Sequence, residues 1–223
     1  TKKTFNDLHY IEINGKKMYV VNTGLDAIEV FRKPMNPEFE RMEFIFNKNT
    51  SLFQKRDIDL RKAYNKELKI KPHSCHPNCI SFDKKRIFVT CFAKNQKINS
   101  GEVIELSSGK RLFKRSYDCH DGIYHGKDFY LTQTRAAKIL IFENLYNTSV
   151  PMVPTRQIKI NRRGWWRGMI IHDNFLYVFA SDGYKKKETT IAMCKINLKT
   201  EEQTIQKLPV LDDVYWDTIY QPN

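Results

Sequence analysis

The chain has no apolar run approaching the roughly 18 residues that a membrane-spanning helix needs. Thr1 to Asn14 contain no apolar stretch of signal-peptide kind either. Cysteine is sparse and odd in number: Cys75, Cys79, Cys91, Cys119 and Cys194 in 223 residues. That excludes a disulfide framework as the organising device and favours reduced thiols. Together these absences set the expectation of a soluble, cytoplasmic protein with no membrane partner. Nucleic-acid motifs are missing too, with no zinc-finger spacing, no aromatic RNA-binding signature and no glycine-rich phosphate loop. Nor is the chain a disordered basic tail, because 41% hydrophobic and 13% aromatic residues are enough to bury a core.

What is present in excess is positive charge, with 38 Lys and Arg against 25 Asp and Glu, a formal +13. Residues 1–50 carry +1, 51–100 carry +8, 101–150 carry +1, 151–200 carry +7 and 201–223 carry −4. The excess is therefore two packets. One holds Lys55, Arg56, Arg61, Lys62, Lys66, Lys69, Lys71 and the triple Lys84-Lys85-Arg86. The other holds Arg162, Arg163, Arg167 and the triple Lys185-Lys186-Lys187. Both triples adjoin turn residues, where lysine is ordinarily solvated. The same packets can draw in nucleic acid or an acidic partner without sequence preference.

Four short runs resemble one another: Met18 to Thr23, Ile87 to Phe92, Phe129 to Thr134 and Leu176 to Ser181. Each is β-branched and aromatic, as strands prefer. Each follows a turn signal (Asn14-Gly15, Asp83-Lys84, His125-Gly126, Asp173-Asn174) and, before it, another apolar stretch. A third strand follows at Ala27 to Phe31, Glu102 to Leu106, Lys138 to Phe142 and Thr190 to Leu198. Equivalent positions recur at spacings of 69, 42 and 47 residues. A several-stranded unit repeating every ~40–50 residues is the signature of propeller blades.

The expected fold is an all-β propeller of four-stranded antiparallel blades forming one domain over 1–223. Four repeats are visible, and a fifth, degenerate blade that uses an insertion in the first interval is the alternative. The long first interval reads as an insertion over 50–72, where Leu60, Ala63, Tyr64 and Leu68 fit one face of a short helix. Val214 to Tyr220 reads as a further strand that closes the ring. The segments Gly24-Leu25, Cys75-His76-Pro77-Asn78 and Arg167-Gly168-Met169 resemble a group of uncharacterised bacterial propeller proteins. That resemblance implies the fold and brings no settled activity with it.

Nine residues before Met18, Ile87, Phe129 and Leu176 stand His9, Asn78, His120 and Arg167. Innermost propeller strands line the central channel, so this polar column from four blades converges near the axis. Trp216 or Asp217 would complete it on the closing strand. A set of His, Asn and Arg suits an anionic or carbohydrate-like ligand, with Arg167 as a bidentate partner. If the site is catalytic, His9 or His120 serves as acid and base and Arg167 stabilises developing negative charge, as hydrolysis or elimination requires. Trp165 and Trp166 beside Arg167 can stack on a sugar or a base, although packing between blades claims one of them.

Two other functions remain open. His9, His76 and His120 can act as ligands to a divalent metal, a cofactor that Arg167 disfavours unless a carboxylate such as Asp217 offsets it. A non-catalytic scaffold with a basic rim is the third reading. His73-Ser74-Cys75-His76-Pro77-Asn78-Cys79 lacks the second Cys/His pair of a structural zinc site, so His76 is expected on the channel rim. Cys119 beside His120 can serve as a nucleophile, but packing between blades is the expected role. Strand alternation turns Asp121 away from His120, toward the neighbouring blade. His125 and His172, in hairpin turns, are expected at the surface.

Overall fold

The computed structural model describes residues 8–35, 37–44, 76–83, 86–93, 100–113, 118–145, 153–181 and 191–208. Within them, sixteen strands form four antiparallel sheets, each a four-stranded meander. Blade 1 contains β1 (Leu8–Asn14), β2 (Lys17–Asn22), β3 (Ala27–Arg32) and β4 (Glu38–Phe44). Blade 2 contains β5 (Pro77–Asp83), β6 (Arg86–Ala93), β7 (Ser100–Glu105) and β8 (Arg111–Phe113). Blade 3 contains β9 (Cys119–His125), β10 (Asp128–Gln133), β11 (Lys138–Phe142) and β12 (Arg156–Lys159). Blade 4 contains β13 (Trp165–His172), β14 (Phe175–Ser181), β15 (Ile191–Asn197) and β16 (Gln203–Leu208). The molecule is a β-propeller of four-stranded blades. The expected insertion helix at 50–72 and the closing strand at 214–220 lie outside the described residues.

Two-residue turns join the first two strands of blades 1, 3 and 4, and their chemistry explains the register. Asn14 pairs with Lys17, Asp83 with Arg86, His125 with Asp128 and His172 with Phe175. Gly15 and Gly126 take left-handed φ values of 60° and 65° there, and Asp173 takes 53°. That backbone matches the right-handed twist of a hairpin and is open chiefly to Gly, Asn and Asp.

The blades stack through their faces. Tyr19, Val21, Ile28 and Val30 of blade 1 pack on Ile80, Val89, Cys91 and Ile104 of blade 2. Phe88, Val103 and Leu112 of blade 2 meet Cys119, Phe129, Leu131, Leu140 and Phe142 of blade 3. Tyr130, Ile139, Ile141 and Ile158 of blade 3 meet Trp166, Met169, Leu176, Val178 and Cys194 of blade 4. Successive residues of one strand thus serve different interfaces, Phe129 and Leu131 toward blade 2 and Tyr130 toward blade 4, as the two-residue side-chain period requires. The innermost strands touch in order: β1 on β5, β5 on β9 and β9 on β13. On the other faces of blades 1 and 4, Ile11, Ile13 and Ile170 remain exposed.

Candidate functional site: the bulged ends of the inner strands

Each innermost strand carries a β-bulge near its start. The pairing slips between Leu8 and Tyr10 in β1, and between Pro77 and Cys79 in β5. In β9 the two residues His120 and Asp121 oppose Thr132 alone, and in β13 the slip falls between Arg167 and Met169. A bulge inserts a residue, breaks the alternation of faces and re-aims the side chains around it. The residues affected are His9, Asn78, His120 with Asp121, and Gly168 beside Arg167, which is the polar column displaced by at most one position. Gly168 adopts φ 71°, a conformation that a residue with a Cβ takes only under strain.

The bulges bring together histidines that are far apart in the chain. The His9 ring lies 5.1 Å from the His76 ring, edge to face, and 5.8 Å from the His120 ring, nearly parallel at 21°. Three blades meet at these rings. His76 precedes β5 and is clasped between blades 1 and 2. Its N–H donates to Asp26 Oδ1 at 2.8 Å, and its carbonyl accepts from Phe92 N–H at 2.9 Å. The neighbouring Pro77 carbonyl accepts from the Thr23 hydroxyl. This clasp holds His76 in a left-handed conformation, φ 47°, and Asp26 shares it at φ 49°. Such φ values are uncommon outside glycine and persist where surrounding contacts over-determine them.

His120 has a partner that strict alternation had turned away from it. Asp121 Oδ2 lies 3.1 Å from His120 Nδ1, and the same oxygen accepts from Gly168 N–H of blade 4 at 2.7 Å. The expectation that Asp121 bonds the neighbouring blade is met, and the separation from His120 is corrected. The β9 bulge lets consecutive side chains turn toward each other. Asp121 N–H is itself anchored on Thr132 Oγ1 at 2.9 Å. The carboxyl is almost wholly buried, which by itself favours the protonated acid. His120, the Gly168 N–H and Arg167 outweigh that and hold its pKa below the ordinary carboxylate value.

Asn78 is buried at 1% exposure, and neither of its amide atoms makes a hydrogen bond to the described residues. An amide so placed costs on the order of 1–3 kcal/mol if it stays unsatisfied. The candidate tryptophans separate. Trp166 is fully buried in the core between blades 3 and 4, and its indole N–H donates to the Arg162 carbonyl at 3.0 Å. It offers no face to a ligand, which corrects its place among the candidate binding residues. Trp165 is half-buried with the Arg135 guanidinium 5.4 Å above its ring. Trp216 and Asp217 lie outside the described residues.

Among the described residues, burial disfavours the thiolate form that a nucleophilic cysteine needs. Cys79, Cys91, Cys119 and Cys194 are all buried. Desolvation pushes Cys79 and Cys119 far above the usual thiol value, and Cys194 up to about 11. Burial also raises the Tyr10 phenol, whose hydroxyl donates to Glu12 Oε2 at 3.2 Å. Of the basic packets, Lys55 to Lys71, Lys84-Lys85 and Lys185 to Lys187 lie outside the described residues. Arg86 is committed to Asp83 through contacts of 2.6 and 3.0 Å. His125 and His172 are exposed, as expected of hairpin turns.

The three histidines do not form a ligand set as they stand. Among the described residues, no group of three or more His, Cys, Asp or Glu is placed to hold a metal ion. His120 Nδ1 is engaged by Asp121, and Arg167 adds a fixed positive charge. No helix among the described residues is long and apolar enough to cross a membrane.

No protein-family model matches the chain, and no curated protein matches it in sequence. Solved structures match it in fold. The GH43 BlXynB protein from Bacillus licheniformis superposes with a TM-score of 0.56 at 12% identity, over 96% of this chain and 44% of its own. Hydrazine synthase of Kuenenia stuttgartiensis gives 0.55 at 10% identity, over 93% of this chain and 51% of its own. A functionally unknown protein from Desulfotomaculum acetoxidans gives 0.50 at 9% identity, over 92% of this chain and 56% of its own. The chain thus spans about half the length of these structures, and at such identity the likeness is one of fold.

Proposed function

We propose that the bulged ends of the inner strands form an axial site for a small anionic or sugar-like ligand, with His120 and His9 available for acid–base chemistry of hydrolytic or eliminating type. The convergence of His9, His76 and His120 from three blades carries this reading. Imidazoles from three blades at the inner-strand bulges support it, as does Asn78, a buried amide there that no described residue partners. Neutral imidazole both donates and accepts, and guanidinium grips carboxylate or phosphate, so hydroxyl and anionic groups of one ligand are served together.

Calorimetric titration with gluconate, a polyhydroxylated carboxylate, tests the reading. Wild-type protein should bind it, and His120→Ala and Arg167→Ala should each weaken binding by about tenfold or more while the circular dichroism spectrum is retained. Absence of binding to the wild type, or unchanged binding in both variants, rules it out.

A further inference from the structure

We propose that Asp121 is the positioning residue of this site, holding His120 as the Nδ1–H tautomer so that Nε2 is left as an acceptor for an O–H donor, a ligand hydroxyl or a water. The inference rests on the ligand-site reading and deepens it by assigning the part of the ligand that His120 meets. Neutral histidine carries its proton on one nitrogen only, and the hydrogen bond made by the other selects which. Here Asp121 Oδ2 sits 3.1 Å from Nδ1, so Nδ1 donates. The same carboxylate oxygen accepts from Gly168 N–H at 2.7 Å, and the backbone N–H of Asp121 is tied to Thr132. Three attachments from two blades leave it little freedom to follow another partner.

The charge balance supports the same assignment. Burial opposes ionisation of Asp121, but the interactions with His120, Gly168 N–H and Arg167 prevail and keep it a carboxylate, an acceptor only. The buried thiols Cys79 and Cys119 and the phenol of Tyr10 stay protonated beside it. A consequence for the ligand follows. A lone pair on Nε2 meets a hydroxyl favourably and an oxyanion unfavourably, so an anionic group belongs at Arg167 and a hydroxyl at His120.

The tautomer can be read directly, without ligand. Protein labelled with 15N-histidine is examined by ring-nitrogen NMR at alkaline pH, with the His120 signals assigned from a His120→Gln variant. Wild-type His120 should show the Nδ1–H pattern, whereas exposed His125 should show the Nε2–H pattern of free histidine. In Asp121→Ala, the oxygen that faces both Nδ1 and the Gly168 N–H is removed. The tautomer ratio of His120 should then invert by roughly tenfold or more. An Nε2–H pattern in the wild type, or an Nδ1–H pattern that survives Asp121→Ala, overturns the proposal. Should the variant fail to fold, the wild-type spectrum alone decides. Gluconate failing to bind while His120 is Nδ1–H would sink the ligand and its hydroxyl contact and leave the positioning role of Asp121 standing.

Discussion

Strands β10 and β14 are the same element of the repeat, yet only one is buried on both sides. In β10, the run Phe129-Tyr130-Leu131-Thr132 is buried without a break. In β14, Leu176, Val178 and Ala180 are buried against blade 3, while Phe175, Tyr177 and Phe179 on the other face are half-buried. Composition alone does not explain this, since both strands mix aromatic and aliphatic residues. The difference lies in neighbours. Blade 3 has a blade packed on each face, Phe129 facing Phe88 across a ring separation of 6.1 Å and Tyr130 facing the blade 4 core. The outer face of blade 4 instead carries Lys195 Nζ 4.0 Å from the Phe175 ring and 5.8 Å from Tyr177, an amphipathic cover in which the ammonium reaches water. Equivalent strands of the repeat are therefore buried unequally according to their place in the stack.

Truncation experiments can break or sharpen this contrast. Phe129→Ala should have the largest effect, a loss of about 3–5 kcal/mol in denaturant unfolding, because its ring fills the interface between blades 2 and 3 and leaves a cavity. A loss near that of an exposed side chain would mean that this interface is loose. Gly122→Ala on β9 should follow. A Cβ there runs into the Phe129 ring and the Thr90 hydroxyl, so overpacking should cost about 1–3 kcal/mol, read as a lower thermal midpoint. An unchanged midpoint would show that Phe129 can yield. Tyr177→Ala should be the mildest, within about 1 kcal/mol, as expected for a residue half in water. A cost matching that of Tyr130→Ala, its counterpart in blade 3, would show that the outer face of blade 4 is packed as tightly as an inner one and would erase the distinction.

The contrast also explains which parts of the structure were legible beforehand. Runs such as Met18 to Thr23 and Leu176 to Ser181 declare strands because they are rich in β-branched and aromatic residues, and the Gly and Asp turn residues mark the hairpins. Those signals are local, so the four meanders and their order followed from them. That His9, Asn78, His120 and Arg167 take equivalent places near the starts of the inner strands was legible for the same reason, since counting back from a repeated strand needs only a repeated register. The bulges were not. Nothing in Cys119-His120-Asp121-Gly122 announces that two residues will oppose one, and strict alternation consequently separated Asp121 from His120. Trp165 and Trp166 show the same limit: adjacent side chains point opposite ways, and register alone decides that Trp166 is the one swallowed by the core.

For this protein, then, residue pattern determined the kind of strand, the hairpin turns, the repeat and hence the propeller, because each depends on contacts within a few dozen residues. Tertiary structure decided which faces are dry, where alternation breaks, and that His9, His76 and His120, more than a hundred residues apart at their extremes, stand ring to ring. Those outcomes depend on how one blade lies against the next, and the partner that settles the matter for Asp121 is the backbone N–H of Gly168, a group every non-proline residue carries and no side-chain pattern reveals.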